Sequence, residues 1–395
     1  MPDLELSALE NPVAPTPASP AIRTDRTFVR RLLVEEIDTA FERRWKDLAR
    51  RSLTPNPFLE PEFVLPALEH LPDLARPVFL AVEGDRGALV GLGIFEEVSG
   101  SRRLPIPHLR SWQTPHTYLD GLLLDRRIPE LAVSSLWKYL VNDSHAWHGV
   151  EFPRLREGDE LDAALTFISE QAEVEWVDGR SIVRAQLETD WSPEVQQAAI
   201  SPKRAKSLRR GWHELERRGA TAFHVERHDQ TTVAGPITEF LRLESLGWKA
   251  DEGTAMECCA EQRAFFVSMM DRFAASGRTL FTTVTVDGAT VGTVAHLISG
   301  AGAFAFKLGW DPAFERGCPG FQLKAHLAEH ADELLPEIRW VDSCSSEGSF
   351  IEHLWGGRTT VRSRLFLTSR AASVAAMFVD KVKSIRDVLL GRSSS

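Results

Sequence analysis

GAFAFKLGWDPAFERGCPGFQLKAHL, residues 302–327, turns from a strand into a helix within a few residues. The first part is an apolar run rich in Phe. After it, Leu323, Leu327, Ala331 and Leu334 recur at helical spacing. Between them, Arg316, Gly317, Pro319 and Gly320 crowd the start of the helix. A helix that begins directly after a strand presents unpaired backbone N–H groups and the positive end of its dipole. Glycines let a phosphate approach that backbone, and Arg316 adds a fork-shaped cation suited to it. The elbow therefore reads as an anion site, or as a Gly/Pro turn that only caps a helix.

Upstream, TLFTTVTVDGATVGTVAHLIS (279–299) places Asp287-Gly288 between two alternating strands, a hairpin signal. Before it come the helix SPKRAKSLRRGWHELERRG, the strand TAFHVERH, and helices ending in LESLGWK and EQRAFFVSMMDRFAAS. Downstream lie the strands IRWVDSC and RTTVRSRLFLTS. The first half follows a similar script. Strand TFVRRLLVEEID and helix DTAFERRWKDLARRS lead to a hairpin around Gly84-Asp85-Arg86-Gly87. Helix ELAVSSLWKYLVN, strand HGVEFPRL, helix LDAALTFISEQ and strand SIVRAQLE close it. We therefore expect a mixed α/β (α+β) chain with a duplicated fold, in which central mixed sheets are flanked by helices. The expected divisions are a disordered Pro/Ala/Ser-rich tail at 1–26, an N-terminal domain at 27–195, a C-terminal domain at 196–369, and an amphipathic helix and tail at 370–395.

Composition bounds the function. Hydrophobic content of 43% and charged content of 26% over 395 residues suit two soluble domains. No apolar run approaches the roughly 20 residues that span a bilayer, and the acidic start is unlike a secretory signal. A cytoplasmic protein is the expectation. Four cysteines without CxxC spacing give no disulfide framework and no zinc site, so no metal is expected. The net charge of −10 argues against bulk nucleic-acid binding.

The hairpin, second strand, glycine elbow and helix resemble the acyl-CoA-binding core of the GNAT N-acyltransferase superfamily. There, an Arg/Gln-x-x-Gly-x-Gly/Ala signature holds the pyrophosphate of coenzyme A. Here the counterpart is Arg316-Gly317-Cys318-Pro319-Gly320-Phe321, a departure with a proline inside. LESLGWKADEGTA (243–255), WDPAFERGCPG (310–320), VDSCSSEGSFIEHLWGGRTTV (341–361) and RWKDLARRSLTPNPFLEPEF (44–63) are similar to the BioF2-like or CelD-like branch. That branch has tandem GNAT domains and is related to the FemAB aminoacyl transferases. The resemblance covers roughly residues 30–370 and implies acyl-CoA as co-substrate and an amine acceptor. The first half has no glycine at its equivalent helix start, so only the second would keep the coenzyme A site.

In such an enzyme the bound amine attacks the thioester directly. The backbone of Leu308, Gly309 and Trp310 would polarise the thioester carbonyl, with Gly309 suiting a bulge. His353, oriented by Asp342, is the expected base, with Glu352 as fallback. Glu244, Trp248 and Lys249 form either part of the acceptor site, with Glu244 on the amine, or a helix-end ion pair. Lys307, a lysine in an apolar strand, reads as touching substrate or cofactor. Many GNAT enzymes use a tyrosine to protonate the leaving thiolate, but Tyr118 and Tyr139 both lie in the first half. Ser343, Cys344 or Ser345 stand as substitutes, and a Cys344 acyl-enzyme has no supporting His/Asp spacing.

The basic run 203–218 reads as a solvated helix face, an anionic head-group contact or, least favoured, a tRNA contact. The stripe Val374, Phe378, Val382, Ile385, Leu389 either packs on the protein or rests on a membrane surface. The acceptor classes are a long-chain amine of a lipid, an amino sugar of a surface polysaccharide, or a small amine. Two other readings are a FemAB-type tRNA-dependent aminoacyl transferase and a non-catalytic accessory protein of polysaccharide biosynthesis or export.

Overall fold

In the computed structural model, which describes residues 26–143, 146–246 and 256–389, Asp287 and Gly288 both take positive φ (49° and 77°). That is the turn geometry expected of an Asp-Gly hairpin. The readings of the N-terminal tail, of Trp248 and Lys249, and of the last residues fall outside the described residues.

The strands run in chain order β1 Thr27–Leu33, β2 Val78–Gly84, β3 Leu89–Val98, β4 His108–Ser111, β5 Leu123–Leu124, β6 Gly149–Arg156 and β7 Glu175–Glu188. The second half supplies β8 Thr221–His228, β9 Thr279–Val286, β10 Ala289–Ser299, β11 Gly302–Trp310, β12 Trp340–Asp342 and β13 Gly357–Leu367. The helices are α1 Thr39–Arg50, α2 Pro61–His70, α3 Pro129–Lys138, α4 Glu160–Gln171, α5 Pro193–Ala198 and α6 Pro202–Glu216. After them come α7 Ala234–Leu246, α8 Ala260–Ala274, α9 Pro319–Glu329, α10 Ala331–Leu334 and α11 Arg370–Leu389.

The duplication is visible in the pairing. Each half has an antiparallel meander whose last strand pairs in parallel with the next one: β4 with β6, and β11 with β12. The sheets nevertheless do not separate at 195/196. They form one sheet in the order β1-β2-β3-β4-β6-β13-β7-β12-β11-β10-β9-β8, with β5 on β3. Strand β13, from the end of the second half, sits between β6 and β7 of the first, while β7 pairs onward with β12. The expected boundary at 195/196 therefore falls within one continuous sheet, and backbone hydrogen bonds run across it.

Helices cover both faces. On one, α1, α2, α7 and α8 share a core that includes Trp45, Phe58, Phe63, Phe265, Phe304 and Phe306. The edge-to-face pairs Phe58–Phe304 and Phe63–Phe265 cross between halves, at 5.6 and 5.5 Å. On the other face, α3 and α4 pack on the first half, and α6, α9 and α10 on the second. The stripe on α11 does not pack inward. Val374, Met377, Phe378 and Val382 are exposed, and among the described side chains of this helix only Ala372 is fully covered. Among the described residues, no helix is long and apolar enough to cross a membrane.

Candidate active site

Strand β12 pairs with β11 only from Gly302 to Phe304, and ends at Asp342. Strand β11 continues to Trp310, so the two separate and leave an opening through the sheet. A bulge shapes one wall. Ala295 faces Lys307 but His296 faces Ala305, which makes Phe306 the extra residue. The bulge reverses the alternation. Phe304 and Phe306 face the α7/α8 side, whereas Leu308 joins the α9 side. Phe306 and Lys307 therefore come to one face in succession, with the Lys307 Nζ 5.8 Å from the Phe306 ring.

Gly309 is not the bulge expected of it. A Cβ there would lie 3.0 Å from the backbone nitrogen of Glu244 and 3.2 Å from the carbonyl of Phe240. Its glycine is what lets α7 cross β11 closely. Glu244 is thereby carried to the opening, buried, and its Oε2 accepts a hydrogen bond from the Met256 N–H at 3.0 Å.

The elbow follows Trp310 through a 3-10 turn, Pro312–Gly317, whose N-cap Asp311 accepts from the Ala313 N–H at 2.8 Å. The left-handed residue is Cys318, at φ 51°, not either glycine. Gly317 serves packing, since a Cβ would meet the Leu215 side chain at 2.2 Å. A Cβ on Gly211 of α6 would meet the Gly317 carbonyl at 2.8 Å, and Gln322 donates to the carbonyls of Leu208 and Gly317 at 2.9 and 3.2 Å. A Cβ on Gly320 would touch Leu308 at 3.2 Å, with Trp310 alongside. Phe321 packs against Phe350 with ring centroids 4.3 Å apart and the planes tilted by 53°. Outward, Arg316 and the α6 residues Lys206, Arg209 and Arg210 are exposed and carry no ion pair among the described residues.

Asp342 and His353 are not a dyad. Asp342 is fully buried; its Oδ2 accepts from Arg156 at 2.7 Å and Arg184 at 2.6 Å, and its Oδ1 from the Cys344 N–H at 2.9 Å. These partners use the carboxylate for holding β6, β7 and β12 together. His353 closes a short 3-10 turn and is exposed. Cys344, at φ 52°, is buried, and burial with the nearby Asp342 charge pushes its thiol up. A protonated thiol is a poor nucleophile, which argues against an acyl-enzyme there.

Two further groups flank the opening: Tyr118, which the sequence places in the first half, and Lys324, which the sequence reading does not single out. Tyr118 lies on the loop after β4, the first half's counterpart of the elbow, and reaches across to the opening. Its ring is 5.9 Å from Phe306 and 5.6 Å from Phe58. Burial first, then the Cys344 and Glu244 charges, raise its phenol above the usual value, against Arg154 and Arg184. It stays protonated at neutral pH. Lys324 of α9 is buried on the other side of the opening, over the Trp355 ring at 5.1 Å. Its Nζ has no hydrogen bond or ion pair among the described residues, and burial lowers it to about 8. Its signal in the sequence was a lysine on the inward stripe of a helix, one residue from Leu323.

Residues 202–347 match the family model described as an acetyltransferase (GNAT) domain. Within the second half, these residues have the character of a GNAT-type domain. Across both halves, the crystal structure of FemX superimposes with a TM-score of 0.52 at 10% identity, covering 84% of this chain and 96% of that one. A conserved protein of unknown function from Bacteroides thetaiotaomicron gives 0.51 at 11% identity, covering 85% and 99%. At such identities the likeness is one of fold. No curated protein matches the sequence. Strands β8 to β12 with α7 to α9 lie within the matched residues, and so does the opening between β11 and β12.

Proposed function

We propose that the protein moves an acyl group from acyl-CoA to a primary amine by direct attack. The observation that carries this is the opening beyond Phe304 and Asp342, with a cationic elbow on one side and Tyr118 with Glu244 on the other. The pyrophosphate would meet Arg316, the basic turn of α6 and the start of α9. The thioester would lie along Leu308, Gly309 and Trp310, whose backbone offers N–H groups to the carbonyl oxygen. Glu244 takes a proton from the ammonium, and the free amine forms the new C–N bond. As the C–S bond breaks, Tyr118 gives its proton to the leaving thiolate, and the phenol is restored by the second proton that the nitrogen sheds as it becomes an amide. Lys307 on the same face would contact the acceptor. This reading replaces the His353–Asp342 base with Glu244.

The similarity to the BioF2-like and CelD-like branch supports three acceptor classes: a long-chain amine of a lipid, an amino sugar of a surface polysaccharide, and a small amine. The test is thermal shift with coenzyme A and acyl-CoAs from acetyl to palmitoyl. Arg316→Glu is the control, because it reverses a charge on an exposed residue and leaves the packing of Gly320 on Leu308 intact. Stabilisation lost in that variant supports the reading; no shift with any of them overturns it. A second reading, a tRNA-dependent aminoacyl transferase of the FemAB type, is favoured by the FemX-like fold and the exposed basic face of α6. It expects tRNA to bind, and Arg209 and Arg210 charge reversal to weaken it, with no response to acyl-CoA.

A further inference from the structure

The far end of α9 carries a second chemistry. His326, Glu329 and His330 follow one another at i, i+3 and i+4, which puts both imidazoles and the carboxylate on one side of the last turn. One ligand atom from each lies within 4.8 Å of the others, and among the described residues this is the only such His/Cys/Asp/Glu group. A bound zinc-class ion with bonds of about 2.1 Å holds tetrahedral ligands about 3.4 Å apart, so side-chain rotation closes the remaining gap.

The surroundings favour ligation. Neither imidazole has a side-chain hydrogen bond among the described residues. The His326 ring is held by Trp212 at 4.2 Å and Phe223 at 5.4 Å, which fixes its plane. Glu329 is oriented from outside by the Gln197 side chain of α5, whose Nε2 donates to its Oε1 at 3.1 Å. A carboxylate fixed by a second residue is how metal ligands are commonly supported. All three residues are partly exposed, so an ion has a path in.

We propose that His326, Glu329 and His330 bind one divalent transition-metal ion of the zinc, nickel or copper class, with the open positions filled by water. Two imidazoles and one carboxylate select these metals over calcium or magnesium, which prefer oxygen ligands. The expectation of no metal rested on the lack of CxxC spacing and of a His/Cys cluster, and a His-x-x-Glu-His run that closes a helix lies outside those patterns. The site sits at the opposite end of α9 from the elbow, so its occupancy is independent of the acyl-CoA reading.

The test is isothermal titration of metal-stripped, tag-free full-length protein with zinc and with nickel chloride. One saturable site is expected for each, and none with magnesium. His330→Ala, at a partly exposed position, should weaken binding by more than about 100-fold, and Gln197→Ala by about 10-fold. Copper should quench Trp212 emission in the wild type and lose that component in Trp212→Phe. Circular dichroism checks that the variants fold, and Glu329→Gln gives a second ligand test. Absence of saturable zinc and nickel binding, or unchanged affinity in both His330→Ala and Glu329→Gln, would overturn the proposal.

Discussion

The Asp342 carboxylate accepts a hydrogen bond from Arg184 at 2.6 Å, and this pair sits where β7 of the first half meets β12 of the second. Both side chains are almost wholly buried, and Arg156 from β6 adds a second donor at 2.7 Å. Removing the charge of Asp342 leaves two arginines buried without a counter-ion. Asp342→Asn should cost about 3–5 kcal/mol. Because β13 is threaded into the first half's sheet, the loss should appear as one cooperative urea transition at lower midpoint. Two separate transitions would contradict the shared sheet.

Tyr118→Phe removes only a hydroxyl, from a ring whose packing on Phe58 and Phe306 is kept. Acyl transfer should fall by about 100-fold with the melting temperature little changed. Since the folded phenol is raised, the acid form persists as pH rises, and the wild-type rate should not drop between pH 8 and 10 through loss of this proton. A Tyr118→Phe enzyme with wild-type turnover would remove the residue from the chemistry.

What the sequence made legible is local. The Asp287-Gly288 hairpin, the Phe-rich strand and the elbow helix follow from alternation, turn chemistry and helical spacing, all short-range signals. The insertion of β13 between β6 and β7 was not legible, because strand partners distant in sequence leave no periodic trace. The Phe306 bulge likewise defeats a period-two reading of Lys307 and Leu308. Asp342 looked catalytic beside His353, yet its partners Arg156 and Arg184 come from strands more than 150 residues earlier. Tyr118 was set aside as belonging to the wrong half, and the shared core brings it to the cleft.

Gly309 and Gly317 make opposite predictions from similar substitutions. An alanine at 309 presses on the backbone of α7 at Glu244 and Phe240, so the helix carrying Glu244 must shift. An alanine at 317 presses on the side chain of Leu215, which lines the α6 contact. Each should cost about 1–3 kcal/mol in denaturant unfolding. Only Gly309→Ala should also depress acyl-transfer turnover at saturating donor. Equal turnover in the two variants would separate Glu244 from catalysis.

His296 is buried on β10, and burial first, then the nearby Lys324 charge, lowers its imidazole to about 3. The unfolded chain takes up that proton near pH 6.5, so between about 3 and 6.5 the unfolded state binds more protons. Stability is then gained as pH rises through this window and is flat above it. Asp120, raised by burial to about 6, works the other way between 3.8 and 6. Comparing His296→Gln with wild type isolates the histidine. The wild type should lose ground to the variant as pH falls below 6.5, by at most about 1.4 kcal/mol per pH unit. Urea midpoints at pH 5 and 7.5 check it, and a difference independent of pH would refute a neutral buried His296.

The exposed apolar stripe of α11 turns an ambiguity into a measurable contact. Val374, Met377, Phe378 and Val382 lie at helical spacing, and each is about half exposed or more, so the helix does not spend this face on its own protein. Arg370 and Lys381 lie on the same helix, a pairing of apolar and basic groups that suits an anionic interface. Sedimentation with vesicles of anionic phospholipid should pull down the wild type more than neutral vesicles do. Phe378→Asp should release it, with no change in melting temperature because the ring is solvent-facing. Equal recovery of wild type and Phe378→Asp from the pellet would assign the stripe no role at a membrane.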